Sequence, residues 1–218
     1  MNWLLIGDSN CVDLAPYLKS VNYIDQVYVT SVGSSINATL DQYNNELHYI
    51  ASFDPGCCIL HCGHNDLAVH DVKNPTPSTS FLARDDLLDM AKYVQRDFPT
   101  AIVAISSVLP RSHTPTSTLS KPEVEAFNRT VKRLGQRIRA ASEPIGFVTL
   151  LNNRFWRRIS KSQEEATLLD GDGLHLSELG KKAITQDWAD TLKPHLIAPA
   201  SVTTMTTRSG HSSTTPIL

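Results

Sequence analysis

Apolar and polar residues along the chain fall into two kinds of block. Short unbroken apolar runs, Trp3 to Ile6, Val27 to Thr30, Cys57 to His61, Ala101 to Ser106 and Phe147 to Leu151, are each punctuated by Gly, Pro or Ser. Runs of this length without alternation suit strands covered on both faces, as in parallel sheets. Between them, Ile36 to Ile50, Phe81 to Asp97 and Pro122 to Ala141 carry apolar residues three and four apart, as in Phe127, Val131, Leu134 and Ile138. That spacing predicts amphipathic helices. A last helix is expected from Ser177 to about Leu192. The alternation predicts one parallel sheet with helices on both faces and right-handed crossovers. The carboxyl ends of the strands then collect on one edge, where open α/β sheets bind ligands.

Two connections on that edge lack a periodic pattern, His64 to Ser80 and Val108 to Lys121, and both are expected to be long loops that shape a site. The segment 199–218 is dominated by Ser and Thr and has no hydrophobic periodicity, so it is expected to be a disordered tail on a single domain spanning 1–198.

Composition narrows the picture. At 218 residues, with 41% hydrophobic and 19% charged residues, the chain is large enough to bury one core without a second domain. A net charge of −2 excludes nucleic-acid binding through bulk charge. No apolar run reaches the length of a membrane span and no signal-peptide pattern opens the chain, so a soluble, cytoplasmic protein is expected. Cys57, Cys58 and Cys62 share one apolar segment and read as small buried hydrophobes. A metal site on Cys58, Cys62 and His64 would be strung along a strand without a second ligand pair, so neither metal nor other cofactor is expected.

Three segments with polar residues fall at the boundaries of the predicted elements. Gly7-Asp8-Ser9-Asn10 follows the first strand, Gly63-His64-Asn65-Asp66 follows the third, and Asp172 and His175 stand three apart just before the last helix. Each alone suits a turn or a helix cap. Together they supply a hydroxyl, an imidazole to take its proton, a carboxylate to orient the imidazole, and a neutral amide donor for an oxyanion, which is what a serine nucleophile needs at neutral pH.

In these blocks the chain resembles the SGNH hydrolases, also called GDSL-like esterases: GDSN with Ser9, Gly33 after the second strand, GHND with Asn65, and DGLH with Asp172 and His175, in the family's order. The resemblance implies a flavodoxin-like three-layer α/β/α sandwich with a five-stranded parallel sheet. It also implies Ser9 as nucleophile, His175 as general base and acid, and Asp172 as the group that orients His175. The oxyanion hole would combine the Ser9 and Gly33 backbone N–H groups with the Asn65 amide, and Asp8 and Asp66 would support the neighbouring turns. Asn10 stands where the family name has Leu, and His64 fills the free position of GxND. Esterase domains of this intracellular type resemble those of some LINE retrotransposons.

The expected activity is therefore cleavage of acyl esters through an acyl-enzyme. The alternative is a non-catalytic lipid-, glycan- or protein-binding module on the same fold. The two edge loops hold few apolar residues, which favours a small acyl group, with His64, His70, Arg111 and His113 as candidate substrate-rim residues. Between Lys121 and Lys161 there are ten Lys or Arg against three Glu. Arg129, Lys132, Arg133 and Arg137 lie opposite the apolar stripe of their helix, which reads as a solvated face or as a contact for anionic lipid or RNA.

Overall fold

The computed structural model describes residues 1–71, 77–116, 119–152 and 168–197. Five strands, β1 (Trp3–Gly7), β2 (Val27–Val29), β3 (Cys57–His61), β4 (Ile102–Ser106) and β5 (Val148–Leu150), pair in the order β2-β1-β3-β4-β5. Every pairing is parallel. This is the flavodoxin-like order, whose switch point lies between β1 and β3, where the order in which strands are added reverses.

The central strands are covered on both faces, which is why their sequences run apolar without alternation. Leu4, Ile6, Cys58, Leu60, Val103 and Ile105 face one core, built with Ile36, Tyr43 and Ile50 of α2 (Ile36–Phe53), Leu87, Ala91 and Val94 of α4 (Pro77–Asp97), and Phe127, Val131, Leu134 and Ile138 of α5 (Lys121–Ser142). Trp3, Leu5, Cys57, Ile59 and Ala104 face the other core, closed by Leu18 of α1 (Ala15–Lys19) and by Ile184, Trp188 and Leu192 of α6 (Glu178–Ile197). Tyr23 ties these layers by donating to the Ala189 carbonyl at 2.6 Å. The four cysteines are buried and free, and burial pushes the Cys58 thiol up to about 12.

On α5, Arg129, Lys132 and Arg133 are exposed, whereas the Arg137 guanidinium stacks 3.7 Å from the Phe81 ring centroid. No helix among the described residues is long and apolar enough to cross a membrane.

One expectation needs correction. The stretch from His64 is not a loop: α3 (His64–Asp71) follows β3 directly, and α4 begins at Pro77 rather than near Phe81. Gly63, at φ +104°, turns the chain from strand into helix. The helix has no legible apolar stripe because it is two turns long and buries Leu67 while its first turn is polar. The segment 199–218 lies outside the described residues.

Candidate active site

Gly7 ends β1 in a place with no room for a side chain, since a Cβ would stand 2.2 Å from Cys11 Sγ and 2.3 Å from the His61 carbonyl oxygen. The Asp8 N–H extends the ladder to the His61 carbonyl at 3.1 Å, and Asp8 Oδ1 accepts from the Asn10 N–H at 3.0 Å. That cap winds Ser9–Cys11 into one 3₁₀ turn. Asp8, Asn10 and Cys11 are buried by it, while Ser9 is left exposed at the strand's carboxyl end.

The segment before α6 is shaped as tightly. Asp170 and His175 pair through the Asp170 N–H and the His175 carbonyl at 2.8 Å, and Gly173 turns at φ +69° against the Ser112 carbonyl, which a Cβ would approach to 2.2 Å. Asp172 Oδ1 accepts from the backbone N–H groups of Leu174 (2.8 Å) and His175 (3.0 Å), and Asp172 Oδ2 lies 2.6 Å from His175 Nδ1. On the far side of the ring, His175 Nε2 is 3.2 Å from Ser9 Oγ. Residues 166 positions apart thus form one hydroxyl–imidazole–carboxylate chain. Partial burial would raise the Asp172 carboxyl, but the hydrogen bonds from His175 and from the two backbone N–H groups outweigh it and hold the group below its ordinary value. A carboxylate so held keeps the Nδ1–H tautomer, which turns the Nε2 lone pair toward Ser9.

Asn65, in the first turn of α3, donates from Nδ2 to the Ser34 carbonyl at 2.9 Å. Its neighbour Asp66 accepts the Ile36 N–H at 3.0 Å. These two bonds stitch α3 to the segment that enters α2. Burial raises the Asp66 carboxyl, moderated by that N–H. Gly33 sits at the same place with no space for a methyl: a Cβ would be 2.3 Å from both Thr39 N and Thr39 Oγ1.

Beneath the site lies a buried polar network that the sequence does not disclose. His61 Nδ1 is 3.0 Å from Ser106 Oγ, Asn152 Nδ2 reaches Ser106 Oγ at 3.1 Å, and Trp188 Nε1 donates to Asn152 Oδ1 at 2.9 Å. It joins β3, β4, the end of β5 and α6 below the Ser9 turn. Asn152 holds φ +51°, a conformation Asn tolerates better than most residues. The only sequence signal is one polar residue at the end of each of three strands, and its meaning depends on strand order.

Of the candidate rim residues, His64 is buried beneath the site rather than placed on its rim, and Arg111 Nε donates to its Nε2 at 2.7 Å. Arg111 is half-buried and His113 is exposed. The His70 side chain lies outside the described residues. A cleft of about 320 Å³ opens beside Ser9 and His175, lined by Asn10, Val12, Asp13, Asp170, Leu176 and Lys181. Lys181 Nζ lies 3.2 Å from Glu178 and 3.7 Å from Asp13. Among the described residues no group of three His, Cys, Asp or Glu is placed to hold a metal ion.

No protein-family model matches the chain, and no curated protein matches it. Solved structures do. A member of the lipolytic protein G-D-S-L family from Veillonella parvula superposes with a TM-score of 0.62 at 13% identity, over 88% of this chain and 98% of that one. A GDSL-like lipase from Bacteroides thetaiotaomicron gives 0.61 at 14% identity, over 89% and 87%. The acetyl xylan esterase AlAXEase gives 0.58 at 13% identity, over 87% and 98%. At these identities the likeness establishes the fold: a five-stranded all-parallel sheet between helices, as in these hydrolases.

Proposed function

We propose that the chain is a serine esterase that hydrolyses short-chain acyl esters through an acyl-enzyme. The observation that carries this reading is the Ser9 Oγ to His175 Nε2 distance of 3.2 Å with Asp172 2.6 Å behind the ring. In the first half-reaction His175 takes the Ser9 proton as Oγ attacks the ester carbonyl carbon. The resulting oxyanion is met by the Ser9 and Gly33 backbone N–H groups and by the Asn65 N–H that Ser34 does not occupy. His175 then gives its proton to the leaving alcohol, and water repeats the sequence to release the acid. Asp172 stays ionised throughout and stabilises the imidazolium. A non-catalytic binding module has no use for a carboxylate-oriented imidazole against an exposed hydroxyl.

The short-chain preference rests on the walls of the cleft. Each added methylene must leave water to contribute about 0.8 kcal/mol, which needs a continuous apolar surface. Beside Ser9 and His175, only Val12 and Leu176 are apolar among the lining residues, against Asn10, Asp13, Asp170 and Lys181. That one structural neighbour is an acetyl xylan esterase fits the same reading. Four buried, free cysteines suit a reducing compartment such as the cytoplasm.

A 4-nitrophenyl ester series tests this. Acetate and butyrate should give higher kcat/KM than laurate and palmitate, and a series peaking at the laurate or beyond, measured below the micelle concentration, would refute it. Asn65→Ala should lower turnover of the acetate by about 10²- to 10³-fold, the usual effect of removing one oxyanion donor.

A further inference from the structure

Arg111 is half-buried and held through its backbone, its Nε and its guanidinium face. Its backbone is clamped on both sides by one amide: the Arg111 N–H donates to Asn128 Oδ1 and Asn128 Nδ2 donates to the Arg111 carbonyl, each at 2.8 Å. Its Nε donates to His64 Nε2 at 2.7 Å, and its guanidinium carbon lies 4.8 Å from the Phe127 ring centroid. The His64 ring packs on the same Phe127 at 4.9 Å. Since Nε2 accepts, His64 is neutral with its proton on Nδ1. Nδ1 is itself buried and has no partner among the described residues.

This assembly stands beside the proposed catalytic groups on two sides. His64 directly precedes Asn65. The residue after Arg111, Ser112, donates its N–H to the Gly173 carbonyl at 2.8 Å, next to Asp172, and Thr116 reaches the Gly171 carbonyl at 2.7 Å. Asp172 acts on Arg111 electrostatically without bonding it: among the described residues no carboxylate lies within salt-bridge distance of Arg111. A neutral imidazole therefore fixes one edge of the guanidinium, while the outer edge, Nη1 and Nη2, has no acceptor among the described residues. A half-buried guanidinium is costly to leave uncompensated, and its paired N–H groups match two oxygens of a carboxylate or phosphate.

We infer that Arg111 is an anion anchor, and that the preferred esters carry a carboxylate or phosphate whose paired oxygens dock on its Nη edge. The inference rests on the esterase reading and adds the substrate class to it. His64 acts as a positioning residue: it holds Nε without contributing a competing negative charge. The anion belongs either to the alcohol half or to the acyl half, and the test separates the two.

Calorimetric titration of Ser9→Ala protein reads binding without turnover. One pair of ligands is 3-acetoxybenzoate and its methyl ester, with the charge on the alcohol half. The other is phenyl hydrogen succinate and its methyl ester, with the charge on the acyl half. In one pair the anion should bind at least about tenfold more tightly than the neutral ester, the discrimination expected of a charge-assisted pair. Adding Arg111→Gln should bring the two within about threefold. Should that variant not fold, Arg111→Lys keeps the stem and a charge but not the fork, and its preference should fall well below that of the arginine protein. No anion preference in either pair, or an undiminished preference once Arg111 is replaced, overturns the inference. Turnover of phenyl acetate by the Ser9-bearing chain, which needs no anion, reads the esterase chemistry separately.

Discussion

Replacing Asp172 by Asn changes one atom and should nearly abolish turnover. The carboxylate accepts three N–H groups: Leu174 and His175 backbone on Oδ1, at 2.8 and 3.0 Å, and His175 Nδ1 on Oδ2, at 2.6 Å. An amide has one oxygen and one donor, so it can be seated in two ways. With its NH₂ toward the backbone it opposes two N–H donors, which loses two bonds at about 1 to 3 kcal/mol each. With its NH₂ toward the ring it keeps both backbone bonds and requires only that His175 shift its proton from Nδ1 to Nε2. The second seating wins. The imidazole then presents an N–H, not a lone pair, to Ser9 Oγ 3.2 Å away, and cannot take the hydroxyl proton. A wrong tautomer of this kind lowers turnover by about 10⁴-fold, equivalent to about 5.4 kcal/mol of barrier. The assay is kcat/KM for 4-nitrophenyl acetate on Asp172→Asn and the unaltered chain, with thermal melts to show that both are folded. Activity of the Asn variant within tenfold of the unaltered chain would refute the orienting role of Asp172.

Two further predictions concern stability. Gly180→Ala places a Cβ 1.9 Å from the Leu168 carbonyl oxygen, so α6 must shift and stability should fall by about 3 kcal/mol, whereas Gly171→Ala, with open space around its Cβ, should change it by less than about 0.5 kcal/mol; equal denaturant midpoints would contradict the packing of α6. Burial holds both His61 and His64 below the ordinary imidazole value, with Arg111 adding to the effect at His64. Below about pH 6.5 the unfolded chain therefore takes up protons that the folded chain refuses, and the contribution of these two histidines to stability, level above that pH, should fall by up to about 1.4 kcal/mol per pH unit per histidine as pH drops. Calorimetric melts at about pH 7.5 and about pH 5.5 should show the loss, and His61→Asn with His64→Asn should flatten it; a pH-independent melting temperature in the unaltered chain would show that neither histidine is held neutral.

What the sequence discloses and what it hides divide along physical lines. The runs at Trp3 to Ile6 and Cys57 to Leu60 are legible because a strand buried on both faces is apolar at successive positions. The helix around Phe127, Val131, Leu134 and Ile138 is legible because one face repeats for six turns. By contrast, α3 and α1 are too short to repeat, so their few buried residues, Leu67 and Leu18, carry no period. Ser9 and Asn65 stand out because each sits in a Gly-led polar run just past an apolar strand, and Asp172 and His175 because they stand three apart beside two glycines just before the last helix. The His61, Ser106, Asn152 and Trp188 network and the seat of Arg111 on His64 and Phe127 do not. Each is a long-range pairing of side chains that look ordinary alone and acquire meaning only from strand order.

The most direct test of the account is to ask which atom reacts. Treating the chain with a fluorophosphonate and mapping the adduct by peptide mass spectrometry should find one modification, on Ser9, that is absent in Ser9→Ala and strongly slowed in His175→Ala. No adduct, an adduct on another serine such as Ser34, or labelling of Ser9 at an unchanged rate without His175 would contradict the claim that Ser9 is a nucleophile activated by His175.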